Sequence, residues 1–265
     1  MISFVGAGPG AVDLITLRGR DRLAAADVVV WASSLVPEAL LDHARPGADV
    51  HDSAAMTLED TLAVYAAAPD AAIVRLHSGD PSIYGAIGEQ IEWCAAQERD
   101  FEIVPGVSSL AAAAAAVGRE LTQPGVAQSV VLTRLAGRTA ASMPGGESVA
   151  AFAAHGATMA VFLSAARPRE LADELLAPGS AYTGETPAVI VARASRPDER
   201  IVESTVGRLA DDLANLGTKT TVLVLVGPAL AGAGGAAGRS HLYSPGFAHM
   251  FRRRSLPGTT AGRPA

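Results

Sequence analysis

The chain has 265 residues, of which 49% are hydrophobic and 18% charged, with a formal net charge of −6. That is enough apolar material for two domains of roughly 110 residues each, and the acidic balance gives the whole chain no strong attraction to nucleic acid or an anionic membrane. The single cysteine, Cys94, excludes an intrachain disulfide and a thiolate metal cluster within one chain. The longest apolar runs, residues 110–117 and 222–226, are too short to span a bilayer, and Met1 leads into a strand pattern with no basic segment before it. A soluble, cytoplasmic protein without a signal peptide is the expectation.

In chain order, residues 2–5, 28–31 and 73–76 are β-branched runs predicted as strands, separated by helix patterns at 17–25 and 58–67. This alternation predicts a largely parallel sheet with helices on both faces. After "SGDPS" a longer helix is expected, with Asp80 as its cap, Pro81 in its first turn and Ile83, Ile87 and Ile91 along one stripe. Residues 101–104 form a further strand. Ser108 or Ser109 then caps an alanine helix that Gly118 stops.

Near "GRELTQPG" (118–125) the pattern restarts, which places a domain boundary there. The second half predicts strands at 129–133, 159–163, 188–192, 200–204 and 221–226, and helices near 148–155, 169–176 and 206–215. The short turn "RASRPDE" between two of these strands suits an antiparallel pair. The fold class expected is therefore α/β, with a parallel-type N-terminal sheet in residues 1–118 and a mixed sheet in 126–228. Residues 229–265 read as a flexible Gly/Ala linker and a tail carrying Arg252, Arg253 and Arg254.

Gly6-Ala7-Gly8-Pro9-Gly10-Ala11 formally fits the dinucleotide fingerprint G-x-G-x-x-G/A, which also demands a helix opening at the loop and an acid about 20 residues on. Pro9 removes a backbone donor that a phosphate would use. The next strand ends in "WASS", and the nearby acid, Asp27, precedes that strand rather than following it. Both features count against a nicotinamide or flavin enzyme. The alternative is a sharp strand-to-helix turn, with Thr16 capping the helix from Leu17.

Taken together, "VGAGPGAVDLIT", "WASSLV", "RLHSGDPSIYGAIGEQ", "VPGVSSLAAAAAAVGRELT" and "VVLTRLAGRT" resemble the tetrapyrrole methylase family, which uses S-adenosylmethionine to methylate corrin and porphyrin precursors. The likeness covers roughly residues 1–228 and is closest to the branch that methylates C11 of precorrin-4. It implies a two-domain α/β fold with the active cleft between the domains, a homodimer and a small-molecule tetrapyrrole substrate; the charge, the short apolar runs and the displacement chemistry add the expectation of no nucleic acid, no membrane and no metal. By motif match, Pro9 lines the cleft floor beneath the donor, and Ser78, Gly79, Asp80, Ile83 and Tyr84 hold its methionine part and ribose. Ser108 and Ser109 contact the donor from the alanine helix, while Leu163 or Ser164 and Ala192 or Ala194 enclose the adenine. Trp31 departs from an expected tyrosine. Ser33 stands where relatives often carry Gly or Asp, which points to the metal-free rather than the cobalt-bearing substrate.

Methyl transfer from a sulfonium to carbon is an in-line displacement that needs its partners within about 3 to 3.5 Å in good alignment. The donor loses positive charge on the way, so loops rich in Gly, Pro, Ser and Ala suit it better than loops rich in carboxylates. Asp80 is readable as a helix cap or as a cofactor ligand, and His77 as a structural histidine or a site residue. Tyr84 is readable as a stacking surface or as simple packing. Arg134 and Arg138 are candidate partners for substrate carboxylates, Cys94 is expected in the core, and no residue is nominated as the catalytic base. A macromolecule methylase of the same fold and a dinucleotide oxidoreductase are the competing functions.

Overall fold

The computed structural model describes residues 1–136, 141–231, 240–255 and 259. Two units emerge: the first is Met1–Gly118 with Val191–Ile201 and Thr218–Leu223, and the second is Arg119–Ile190 with Val202–Gly217 and Val224–Ala265. Residues 191–201 and 218–223, which lie inside the stretch expected as one C-terminal domain, therefore group with the first unit.

The first unit is built on a five-stranded sheet in the order β3-β2-β4-β1-β5, with β1 (Ile2–Gly6), β2 (Val28–Trp31), β3 (Asp49–Asp52), β4 (Ile73–His77) and β5 (Phe101–Val104). The pairs β1·β4, β1·β5, β2·β3 and β2·β4 are all parallel. Parallel strands buried on both faces read as continuous apolar runs, and β1 is buried at every position. Its alternate residues serve two cores. Val5 and Ala7 join Val29, Trp31, Leu76 and Leu23 on one face, while Ile2 and Phe4 join Val30, Ile73, Tyr65 and Cys94 on the other. Leu23 comes from α1 (Leu17–Ala24), Tyr65 from α2 (Leu58–Ala67) and Cys94 from α3 (Gly88–Ala96). Cys94 is a core residue, as expected.

Local signals account for the helix starts. Thr16 accepts from the Gly19 N–H at the head of α1, Thr57 and Asp60 form a capping box at α2, and Ser108 accepts from the Leu110 N–H at α4 (Ser109–Ala116). Gly118 closes the alanine helix at φ +61°.

Two expectations need correction. The helix predicted directly after Asp80 begins only at Gly88. Tyr84 and Ala86 take φ of 56° and 49°, a hand that a right-handed helix cannot continue, so residues 81–87 form a turn-rich loop. Ile87 and Ile91 still pack against the Phe4 core. Strand β3 went unpredicted because Asp49-Val50-His51-Asp52 is a polar edge strand with no apolar run to announce it.

The second sheet has the order β6-β7-β10-β8-β9, with β6 (Val130–Arg134), β7 (Thr158–Phe162), β8 (Pro187–Ala192), β9 (Arg200–Thr205) and β10 (Val222–Val226). It is mixed, because β6 pairs β7 in parallel and β10 pairs β7 antiparallel. Helices α5 (Val149–Ala153), α6 (Pro168–Leu175) and α7 (Leu209–Ala214) bury Val149, Leu171, Leu175, Leu209 and Leu213. α5 and α7 are shorter than predicted, while α6 matches its expected length. In the tail, Arg252 donates to the carbonyls of Leu242, Ser244 and Phe247 and so organises a turn, while Arg253 and Arg254 are exposed. The expected linker falls largely at residues 232–239, outside those described.

The Tyr65 hydroxyl donates to Gln90 Oε1 at 2.7 Å inside the core, and Gln90 Nε2 donates to the Ala86 carbonyl at 2.9 Å. Tyr65→Phe strands the Gln90 acceptor, so unfolding by urea should register a loss of about 1 to 2 kcal/mol, whereas an unchanged midpoint would show that the bond is not formed in solution.

Candidate active site

Three glycines meet where β1, β4 and β5 end. A Cβ on Gly6 would sit 2.5 Å from Gly106 Cα and 2.7 Å from the Gly79 carbonyl oxygen, and a Cβ on Gly106 would sit 2.2 Å from that same oxygen. No side chain fits there. The loops are laced by main-chain bonds as well: Ala7 N–H donates to the His77 carbonyl at 2.8 Å, Gly8 N–H to the Gly79 carbonyl at 3.3 Å, and Gly79 N–H to the Gly8 carbonyl at 2.8 Å. This junction lies at the carboxyl ends of parallel strands, the usual place for a ligand site in an α/β sheet.

The same contacts settle how the first loop uses its donors. Ala7 and Gly8 spend theirs on β4 and the loop after it, Pro9 has none, and Ala11 N–H donates to Ser195 Oγ at 2.9 Å. With three of its donors spent and Pro9 lacking one, the loop is a poor cradle for a pyrophosphate. Pro9 itself is buried.

Asp80 is a clamp. Its Oδ2 accepts from the Gly106 N–H at 2.8 Å and its Oδ1 from the Ser82 N–H at 2.8 Å and the Ser82 hydroxyl. Burial pushes its pKa up, but the bonds from Ser82 and Gly106 together outweigh that and hold the carboxyl below its ordinary value. It caps a turn and not the helix expected there. Ser78 and Gly79 precede it, with Gly79 at φ +67°; a Cβ there would lie 3.7 Å from Ser109 N and 3.8 Å from Ser108 Cα, so Gly79 packs beside the Ser108–Ser109 backbone with room for about one methyl group. Ile83 is half-buried and Tyr84 exposed in the loop that follows. His77 is 7% exposed, its ring 6.1 Å from that of Phe4. Burial, and secondarily Arg75, push its pKa down to about 3, so it is a neutral interior residue, which supports the structural reading.

Ala194 also joins the first loop, since a Cβ on Gly10 would meet the Ala194 carbonyl oxygen at 3.0 Å. Ala192 is buried at the end of β8. In the second unit, Leu163 follows β7 at φ +53° and is 69% exposed, an apolar side chain held out in a strained conformation, while Ser164 is fully buried. Arg134 donates to the Ala136 carbonyl at 3.1 Å and to Ser142 Oγ at 2.9 Å. Arg138 lies outside the described residues.

Seven non-glycine residues have positive φ among those described, and such strain persists where function requires it. Tyr84 and Leu163 are candidate site residues, and Arg193 and Ser195 flank a third, Ala194. Sequence reasoning missed Gly6, Gly106, the Ala11–Ser195 bond and the close approach of Gly10 to Arg196. The available signal was a glycine at or just beyond the end of each of three strands. Among the described residues, no group of three or more His, Cys, Asp or Glu side chains is placed to hold a metal ion, and no helix is long and apolar enough to cross a membrane.

Comparison with known proteins agrees with this geometry. A sequence model described as Tetrapyrrole (Corrin/Porphyrin) Methylases matches residues 1–210. A precorrin-4 C(11)-methyltransferase from Sinorhizobium sp is 43% identical over 255 residues, covering 96% of this chain and 98% of the relative. The solved structure of a cobalamin biosynthetic enzyme, cobalt precorrin-4 methyltransferase, superposes with a TM-score of 0.82 at 41% identity, covering 86% of this chain and 95% of that one. Uroporphyrin-III C-methyltransferase from Thermus thermophilus, complexed with S-adenosyl homocysteine, gives 0.70 at 29% identity, covering 87% and 93%.

Two outcomes are expected of this junction. Gly106→Ala forces the loops after β4 and β5 apart, and thermal or urea unfolding should show a loss of about 3 kcal/mol or more; wild-type stability would refute the close approach. Asp80 has a folded-state pKa below its reference of 3.8, so its stabilisation is present above that reference and fades as pH falls through the lowered value. Asp80→Asn should therefore flatten that part of the acid-side loss, and superimposable stability-against-pH curves below about pH 4 would count against the clamp.

Proposed function

The chain belongs to the tetrapyrrole (corrin/porphyrin) methylase family, and we propose that it transfers a methyl group from S-adenosylmethionine to C11 of precorrin-4, giving precorrin-5 in cobalamin biosynthesis. The observation that carries this is near-complete alignment at 43% identity with a precorrin-4 C(11)-methyltransferase, joined to a strand-end junction made of backbone and small uncharged side chains. The Thermus relative holds S-adenosyl homocysteine, the product such a donor leaves behind.

The residues present suit that donor. When bound, S-adenosylmethionine supplies an electrophilic methyl group on a positively charged sulfur. Gly79 brings bare backbone beside Ser108 and Ser109, and Asp80 is tied to Ser82 and Gly106. A carboxylate so engaged adds little free negative charge against the sulfonium, whose charge must disperse in the transition state. In this reading Pro9 floors the site, and Ser78, Gly79, Asp80, Ile83 and Tyr84 hold the methionine and ribose parts. Ser108 and Ser109 approach from α4, and Leu163, Ser164, Ala192 and Ala194 enclose the adenine. Asp80 then acts mainly by shaping the Gly106 loop. Arg134 and Arg138 remain proposed partners for substrate carboxylates.

The substrate is proposed to be metal-free. Ser33 N–H donates to Asp52 Oδ1 at 3.0 Å, and an aspartate at position 33 would set a second carboxylate near that one, so this loop is built for a neutral residue. The homodimer implied by the resemblance belongs to the same proposal and is checked by sedimentation equilibrium.

Incubating the protein with S-adenosylmethionine and precorrin-4 should give a product heavier by one methyl group in the mass spectrum. A mass gain with a different precorrin only, or with the cobalt-bearing form only, would overturn the corresponding part of the assignment. Calorimetry should show donor binding by wild type and weakening of about tenfold in Asp80→Ala, the effect of losing a charge-assisted clamp; unchanged affinity would remove Asp80 from the site.

A further inference from the structure

Within the first unit, beside the Gly10 end of the first loop, lies a cavity of about 550 Å³. Val12, Pro37, Ala39 and Pro197 form apolar walls, and Arg196 and Asp198 are its charged lining. Asp198 is engaged in an ion pair with Arg193. The Arg196 guanidinium forms no close ion pair of its own among the described residues and donates from one terminal nitrogen to the Leu35 carbonyl. Its Nε is buried with no hydrogen-bond partner among the described residues. Burial, the largest influence on it, holds its pKa below the ordinary arginine value, with Asp198 opposing that shift and Arg193 adding to it.

The chain seats this side chain deliberately. A Cβ on Gly10 would lie 2.5 Å from Arg196 Cγ and 3.1 Å from its Nε, so the last glycine of "GAGPG" makes room for the arginine stem. The turn bearing Arg196 is fixed by Ser195 Oγ accepting from Ala11 N–H at 2.9 Å, Glu199 accepting from Ser195 N–H at 2.6 Å and Arg193 accepting from Arg196 N–H at 3.0 Å. An arginine immobilised in an apolar cavity with unspent donors is a fork-shaped receptor for a carboxylate.

We propose that Arg196 binds a peripheral carboxylate of the tetrapyrrole substrate, with the cavity receiving that acidic side chain. The inference rests on the methyltransferase reading above. Apolar walls suit the aliphatic stem of such a side chain, and the guanidinium suits its end. The carboxylate of the methyl donor is the competing source of the same chemistry. That carboxylate sits beside an ammonium, which would need an acceptor here, and Asp198 is already paired with Arg193.

Steady-state kinetics with precorrin-4 and calorimetry with S-adenosylmethionine, on wild type, Arg196→Gln, Arg196→Lys and Gly10→Ala, separate these sources. Arg196→Gln should raise KM for precorrin-4 about tenfold or more while kcat and donor affinity stay within about twofold. Arg196→Lys keeps the charge but loses the fork, so it should fall between the two. Gly10→Ala, which displaces the stem, should shift KM in the same direction. Unchanged KM in Arg196→Gln with an unchanged melting temperature would overturn the proposal, as would a loss of donor affinity equal to the rise in KM. If Arg196→Gln melts early, Arg196→Lys decides by the same KM criterion. Fluorescence titration with uroporphyrin III, a stable tetrapyrrole polycarboxylate, needs no turnover. Weaker binding by Arg196→Gln supports the subsite even if wild type leaves precorrin-4 unmethylated, and equal binding counts against it.

Discussion

The closest constraint in this protein is the approach of three backbones at Gly6, Gly79 and Gly106, where even one methyl group on Gly6 or Gly106 would collide with a main-chain atom. Main-chain bonds between the first loop and the loop after β4 reinforce that approach, and the Asp80 carboxylate binds the Gly106 N–H from the side. Because β1 lies between β4 and β5, the three loops leave the sheet as neighbours and have no route apart. The candidate donor site is therefore a property of strand order, expressed through residues too small to obstruct it.

Electrostatics follow the same plan. The carboxylate nearest the junction is consumed by the Ser82 and Gly106 bonds, and the histidine nearest it is buried and neutral, its pKa pushed down to about 3. What faces the junction is mostly carbonyls, hydroxyls and apolar groups, a setting that neither repels a sulfonium nor traps it by strong ion pairing. Arg196, beside Gly10, lines an apolar cavity.

Much of the architecture was legible because both faces of the first sheet are covered. Residues 2–5, 28–31 and 73–76 announce themselves as largely apolar runs, and Thr16 and Ser108 as caps with clear chemistry. Legibility failed where local pattern and tertiary demand diverge. The isoleucines at 83, 87 and 91 carry a helical period, yet Tyr84 and Ala86 adopt the opposite hand, and the helix waits until Gly88. Strand β3 is polar because it is an edge, so it carries no apolar signal.

By itself the sequence determined the class of the fold, the caps, and the family through its ordered motifs, all of which depend on neighbours along the chain. Pro9 and the uncharged end of β2 were also enough to count against a dinucleotide loop. Only the tertiary structure decided what the glycines and charges do. That Gly6, Gly79 and Gly106 touch, that Asp80 clamps a loop, and that Gly10 seats Arg196 are facts about residues 26 to 186 positions apart, brought together by strand order and turn geometry. Spacing along a chain cannot report such contacts, because they arise from the packing of backbones and not from the periodicity of side chains.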